Sequence, residues 1–100
     1  MSVFVYRLNP PRPSFFEDQD EDEKNVMAEH VKYWKRLLLD GKAVAFGSVL
    51  DGNAVWGLAV VDVETKEEAC ALRGADPAIT SGMTHADILP IPQAVLRPLT

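Results

Sequence analysis

Few side chains in these 100 residues can move a proton or hold a ligand, and His30 stands first among them. Imidazole titrates near neutrality and is the commonest acid/base group. His30 recurs at helical spacing with Met27, Val31, Trp34, Leu37 and Leu38, while Glu29, Lys32, Lys35 and Arg36 fall on the other side, so it sits on the apolar face of a helix. A histidine so placed has two readings, a hydrogen-bonded core residue or an acid/base facing a pocket. Ser48, beside Gly47 at a strand end, can donate a hydrogen bond to a ligand or simply meet solvent, and Phe46 next to it is a candidate ligand contact. Arg7, ending the first strand, suits a substrate carboxylate or enolate and equally suits the acidic run at 17–23. His85 and Asp87 share one face of the last strand, with a surface position the simpler reading, and Cys70 reads as a space-filling residue.

Composition excludes several classes. Two histidines, one cysteine and scattered acids show no metal-ligand spacing, and no glycine-rich phosphate loop or dinucleotide fingerprint occurs, so any chemistry is expected to need neither metal nor cofactor. A lone cysteine forms no intrachain disulfide and points to a reducing, cytoplasmic setting. The formal charge is −5, yet six of the fifteen acids (Glu17, Asp18, Asp20, Glu21, Asp22 and Glu23) form one run, which leaves the rest nearly neutral. No basic stripe interleaved with aromatics offers itself to a phosphate backbone, so no nucleic-acid partner is expected. No apolar run reaches the roughly 18 residues of a membrane span, and the start MSVFVYRLNP is too short in apolar residues for a signal peptide.

The elements that must position these residues follow from local signals. Val3 to Leu8 is rich in β-branched and aromatic residues and predicts a strand, ended by Asn9-Pro10-Pro11-Arg12-Pro13. Ser14, Phe15 and Phe16 close that loop with two apolar rings, either a lid over a pocket or an anchor for the loop. Asp20-x-x-Glu23 is a capping box that opens the His30 helix, with acids where the helix dipole favours them, and Gly41 marks its end. Lys42 to Leu50 and Ala54 to Val63 flank Asp51-Gly52-Asn53, a hairpin signal. Strict alternation sends Val44, Phe46 and Leu50 one way and Ala43, Ala45 and Val49 the other, while Trp56, Leu58 and Val60 oppose Val55, Ala59 and Val61. Both sheet faces are therefore apolar. Thr65-x-x-Glu68 opens a second helix that should stop before Gly74, Asp76-Pro77 reads as an N-cap and first helical residue of a short turn to Gly82, and Thr84 to Leu89 predicts a last strand. The proline-bearing tail from Ile91 to Thr100 is expected to be extended and irregular.

The order strand, helix, strand, strand, helix, strand is the ferredoxin-like α+β arrangement, a single domain over 1–100 with a four-stranded antiparallel sheet and helices on one face. Two helices cover one face only. The other apolar face then calls for the same face of a second copy, a two-fold homodimer.

These residues also resemble a family, the YciI-like (YCII-related) proteins of the dimeric α+β barrel group. The resemblance rests on the early strand, Glu29-His30 with Gly41 eleven residues on, Phe46-Gly47 near a hairpin, Asp76-Pro77, and a proline-bearing final strand; the chain has Gly47-Ser48 where the family usually shows Gly-Pro. It implies a histidine–aspartate dyad carried here by His30 and Asp76, in a pocket beside the sheet that takes a small molecule. The resulting expectation is a cofactor-independent enzyme performing isomerisation or elimination on a small, enolisable or aromatic compound, with Ser48, Arg7 and Phe46 as ligand contacts. A non-catalytic binding module and an accessory interaction domain are the alternatives.

Overall fold

In the computed structural model, which describes residues 1–98, β1 (Ser2–Asn9) is the strand on which the others gather. It pairs antiparallel with β3 (Ala54–Val63) and with β4 (His85–Pro90), and β2 (Ala43–Asp51) extends the sheet through β3 to the order β2-β3-β1-β4. Alternation along β1 buries Phe4, Tyr6 and Leu8 on one face, where they meet Val61 and Ala59 of β3, with Gly57 opposite Leu8. A Cβ at Gly57 would stand 3.0 Å from that of Leu8, so a side chain there would require Leu8 to give by a few tenths of an ångström. Helices α2 (Glu21–Leu39) and α3 (Lys66–Ala75) cover this face with Trp34, Leu37, Ala69 and Leu72. The four-stranded antiparallel sheet with helices packed on one side is the expected ferredoxin-like fold.

The strand β2 departs from strict alternation. Ala43 pairs with Val61 but Ala45 pairs with Val60, which leaves Val44 as the extra residue of a β-bulge. Ala43 therefore joins Phe46, Ser48 and Leu50 on the helix-covered face, instead of opposing them. Without the bulge, Phe46 and Ser48 would turn to the other side, because a one-residue slip exchanges the two faces. The uncovered face carries Val5, Ala45, Val49, Trp56, Leu58, Val60 and Leu89, with Arg7, Asp62 and Asp87 among them.

The helix boundaries follow their caps. The Asp20 carboxylate accepts from the Glu23 N–H at 2.8 Å and the Glu23 carboxylate accepts from the Asp20 N–H at 3.0 Å, and past α2 Gly41 takes φ +79°. Leu38, expected to pack, is 37 % exposed; it lies about 100° round the helix from Leu37, which takes the core position. Helix α3 runs through Gly74 and stops at Asp76, because a residue before proline disfavours the helical region; Asp76 is extended at φ −70° and ψ 125° and caps α4 (Pro77–Thr80). Beyond β4, the Ile91 N–H donates to the Val3 carbonyl, and the last two residues of the expected tail lie outside the described residues. Among the described residues no helix is long and apolar enough to cross a membrane.

The stretch read as a loop ending at Phe16 contains a further short helix, α1 (Phe15–Asp18). Arg12 holds it in place, donating to both Glu23 oxygens at 2.7 and 2.8 Å and through Nε to Asp18 at 2.9 Å. Arg12, not Arg7, answers the acidic run. Phe15 is 1 % exposed and anchors the segment, so Phe15→Ala is expected to cost about 3–5 kcal/mol in denaturant unfolding. The bonds from Arg12, then that from the Asp20 N–H, hold the Glu23 carboxyl down at about 2. A depressed carboxyl stabilises the fold above its unfolded value and loses that contribution as pH falls through its native one. Glu23→Gln should thus melt below wild type near neutrality, with the gap closing as pH is lowered toward about 2, as followed by circular dichroism.

Candidate active site

Asp76 is fully buried, and its position follows from Pro77: the extended pre-proline backbone turns the carboxylate back over the start of α4, where Oδ1 accepts from the Ala78 N–H at 2.9 Å. Three side chains complete its shell. His30 Nδ1 lies 2.7 Å from Oδ1, while the Tyr6 hydroxyl at 2.8 Å and Trp34 Nε1 at 3.0 Å donate to Oδ2. Burial alone would raise the Asp76 carboxyl, but the bonds from His30 and Trp34, the His30 charge and the Ala78 N–H outweigh it and leave the group below its ordinary value. Asp76 therefore stabilises the fold above the ordinary carboxylate range, a contribution lost as pH falls through its native value. Burial first, then the Asp76 charge and hydrogen bond, push the Tyr6 phenol far up, so it remains a donor.

With an ionised acceptor on one side, the network assigns the His30 proton to Nδ1 and leaves Nε2 free toward a cleft. The cleft holds about 90 Å³ and opens to solvent. Tyr6 and Leu8 of β1, Met27 and His30 of α2, and Phe46 and Ser48 of β2 line it, with Phe16 of α1 among them. Among the described residues no Lys, Arg, Asp or Glu does so. Its polar groups are those of His30, Ser48 and Tyr6, with the Trp34 indole N–H already given to Asp76.

The structure thus brings four of the five sequence-derived candidates together: His30, Ser48 and Phe46 at the cleft, and Asp76 directly behind His30. Arg7 is not among them. Lying between Tyr6 and Leu8, it points through the opposite face of the sheet, where its guanidinium stacks 4.5 Å from the Trp56 ring centroid and its enclosed Nε has no partner among the described residues. His85 is exposed at the end of β4, and Cys70 is half-buried on α3. The sequence pattern places Tyr6 in the first strand and Trp34 on the apolar face of the helix, and assigns a partner to neither. The available signal was that a buried Tyr or Trp seeks a partner for its O–H or N–H. Among the described residues no three His, Cys, Asp or Glu side chains gather as a metal site would require.

Comparison with known proteins agrees with this architecture. The family model described as YCII-related domain matches residues 3–92. Among solved structures, 5-chloro-2-hydroxyhydroquinone dehydrochlorinase from Burkholderia phenoliruptrix AC1100, in complex with 2,5-dihydroxybenzoquinone, superposes with a TM-score of 0.67. It is 16% identical, and the match covers 100% of each chain, a likeness of fold. No curated protein matches the chain.

The donor set around Asp76 makes asparagine an imperfect substitute. An amide keeps one acceptor oxygen for the cap but turns its NH2 toward Tyr6, whose oxygen can accept, and toward the Trp34 N–H, which cannot. Asp76→Asn is expected to lose about 1–3 kcal/mol in denaturant unfolding. Adding Trp34→Phe, which removes the opposed N–H, should cost less than the two single losses together, whereas strict additivity would deny the conflict.

Proposed function

The chain belongs to the YCII-related domain family, and from that premise we propose that it is a small enzyme that moves protons on a bound compound, with His30 as acid/base and Asp76 as its orienting partner. The observation that carries this reading is the 2.7 Å contact from Nδ1 to a buried carboxylate, which leaves Nε2 as the free nitrogen beside an apolar cleft. In such a pair the carboxylate holds the tautomer and stabilises the imidazolium formed when the ring takes a proton.

The reaction runs as follows. Nε2 takes a proton from a carbon beside a carbonyl, or from an enolic hydroxyl, and the electron pair moves into the conjugated system. Ser48 is suited to donate a hydrogen bond to the oxygen on which charge develops, and Phe46 packs the ring. Return of the proton to a different carbon completes an isomerisation; departure of a leaving group with its bonding pair completes an elimination. Proton transfer of this kind needs an acid/base and an oxyanion donor but no cofactor. Among the described residues no Lys or Arg lines the cleft, which favours a substrate whose buried end is neutral. The dehydrochlorinase of the same fold, bound to a dihydroxybenzoquinone, supports a small, hydroxylated or enolisable ring as the substrate class.

The protein is read as one domain working in the cytoplasm and as a homodimer through the uncovered apolar sheet face. Burying that face against its own copy removes Val5, Leu58, Val60 and Leu89 from water at roughly 25 cal/mol per Å² of apolar surface. Sedimentation at micromolar concentration should give twice the 11.0 kDa of one chain, and Val60→Asp should give a monomer; a monomeric wild type removes the proposal.

The chemistry is tested by incubating the protein in D2O with a panel of small cyclic enols, ketones and halogenated hydroxyquinols, reading deuterium incorporation and halide release by NMR and ion chromatography. His30→Ala is expected to lower any turnover at least about 100-fold, measured where circular dichroism shows the variant folded, since it loses one donor to Asp76. Turnover that survives the substitution rules out His30 as the acid/base, and binding with no turnover in the wild type points instead to a ligand-sensing module.

A further inference from the structure

We infer that Phe16 is a fixed wall of the cleft that admits a single neutral ring and turns away fused-ring compounds; this rests on the cleft being the ligand site. The ring of Phe16 lies at the cleft yet is 38 % exposed, while the neighbouring Phe15 is 1 % exposed. Phe16 is not among the residues that form or pack against the hydrophobic core, and an exposed aromatic ring beside an apolar cleft gains most when a ligand covers it.

A wall and a moving lid differ in how the segment is held. Phe15 meets Phe16 edge-on with centroids 5.1 Å apart, and the Arg12 guanidinium sits over the Phe15 ring at 5.5 Å. The same guanidinium is paired with both oxygens of Glu23 and with Asp18, and the Ser14 hydroxyl donates to Asp18 at 2.6 Å. The short helix α1 is therefore tied to the first turn of α2, the element that carries His30. A residue pinned to the catalytic helix does not swing independently of it.

The available room then decides what fits. About 90 Å³ lies inside the cleft, whereas a dry apolar cavity that takes benzene measures about 150 Å³, so even one ring must extend out through the mouth. Met27 stands one turn before His30 on α2 and Phe16 on α1 lines the same cleft, so a ring with one oxygen directed to His30 and Ser48 would meet these two side chains on its α1 side. A second ring fused on that side would have to displace Phe16 or Met27. Rejection by a steric wall is discrimination through an unfavourable contact with the wrong ligand, and does not need tighter binding of the right one.

The test uses phenol and 2-naphthol as probes, both neutral near pH 7, titrated into 15N-labelled protein with the Gly47 and Ser48 amides as reporters of the cleft. Wild type should bind phenol in preference to 2-naphthol; Phe16→Ala should tighten 2-naphthol by roughly tenfold and leave phenol within about threefold, since only the excluded ring gains room. Phe16→Leu, which keeps an apolar side chain on α1, should fall between the two and serves if the alanine variant is poorly folded. If phenol moves the Gly47 and Ser48 amides but the preference is absent in wild type, or is unchanged in both variants, the wall is overturned and the cleft stands. If phenol at millimolar concentration leaves those amides unmoved in wild type, the ligand site itself is overturned and the wall with it.

Discussion

A carboxylate with no access to water governs this molecule. Asp76 can stay ionised only because four donors converge on it, and they come from different places: Tyr6 from the middle strand, His30 and Trp34 from the long helix, and the Ala78 N–H from the short helix that Asp76 itself caps. Each donor removed would leave part of a buried charge uncompensated, and breaking such a cluster typically costs about 3–5 kcal/mol. The same bonds hold strand, helix and loop in one arrangement. Stability and proposed chemistry therefore share an atom group: the carboxylate that ties α2 to the sheet also sets which nitrogen of His30 faces the cleft.

A second constraint lies across the cleft, in the bulge at Val44. Inserting one residue into β2 exchanges the faces of everything after it, and that exchange carries Phe46 and Ser48 to the side where His30 stands. The cleft thus has two walls with independent origins. One is set by a helix held through Asp76, the other by an irregular strand. Phe16 closes the rim from a third segment, placed by the pairing of Arg12 with Glu23 and Asp18, so that the capping box of α2 and the edge of the site are joined through a single glutamate.

The two sheet faces divide the remaining work. The helix-covered face holds the core and the cleft. The other carries an apolar centre, with Arg7 stacked over Trp56 and Asp62, Asp87, Asn9 and His85 toward its edges, and fits the surface through which a second copy would pack. Arg7 lies beside Tyr6 in sequence yet faces away from the cleft, because neighbouring residues in a strand point in opposite directions.

Much of this was legible in the sequence wherever the signal is local. The capping box at Asp20 and Glu23, the left-handed glycine at Gly41, the hairpin at Gly52 and the cap at Asp76-Pro77 each involve residues within a few positions of one another, and their order alone specified the ferredoxin-like fold. The apolar face of α2 located His30, but left open whether it was core or acid/base; its pairing with Asp76 came from the family resemblance. Only the tertiary structure decided the rest. Tyr6 and Trp34 reach Asp76 across 70 and 42 residues, the bulge is defined by pairing with a different strand, and the face of β1 that the helices cover is a property of packing, which also excluded Arg7 from the cleft. Local chemistry specifies elements and their ends. Which side chains meet depends on register and on the face each element buries, and these exist only once distant segments have come together.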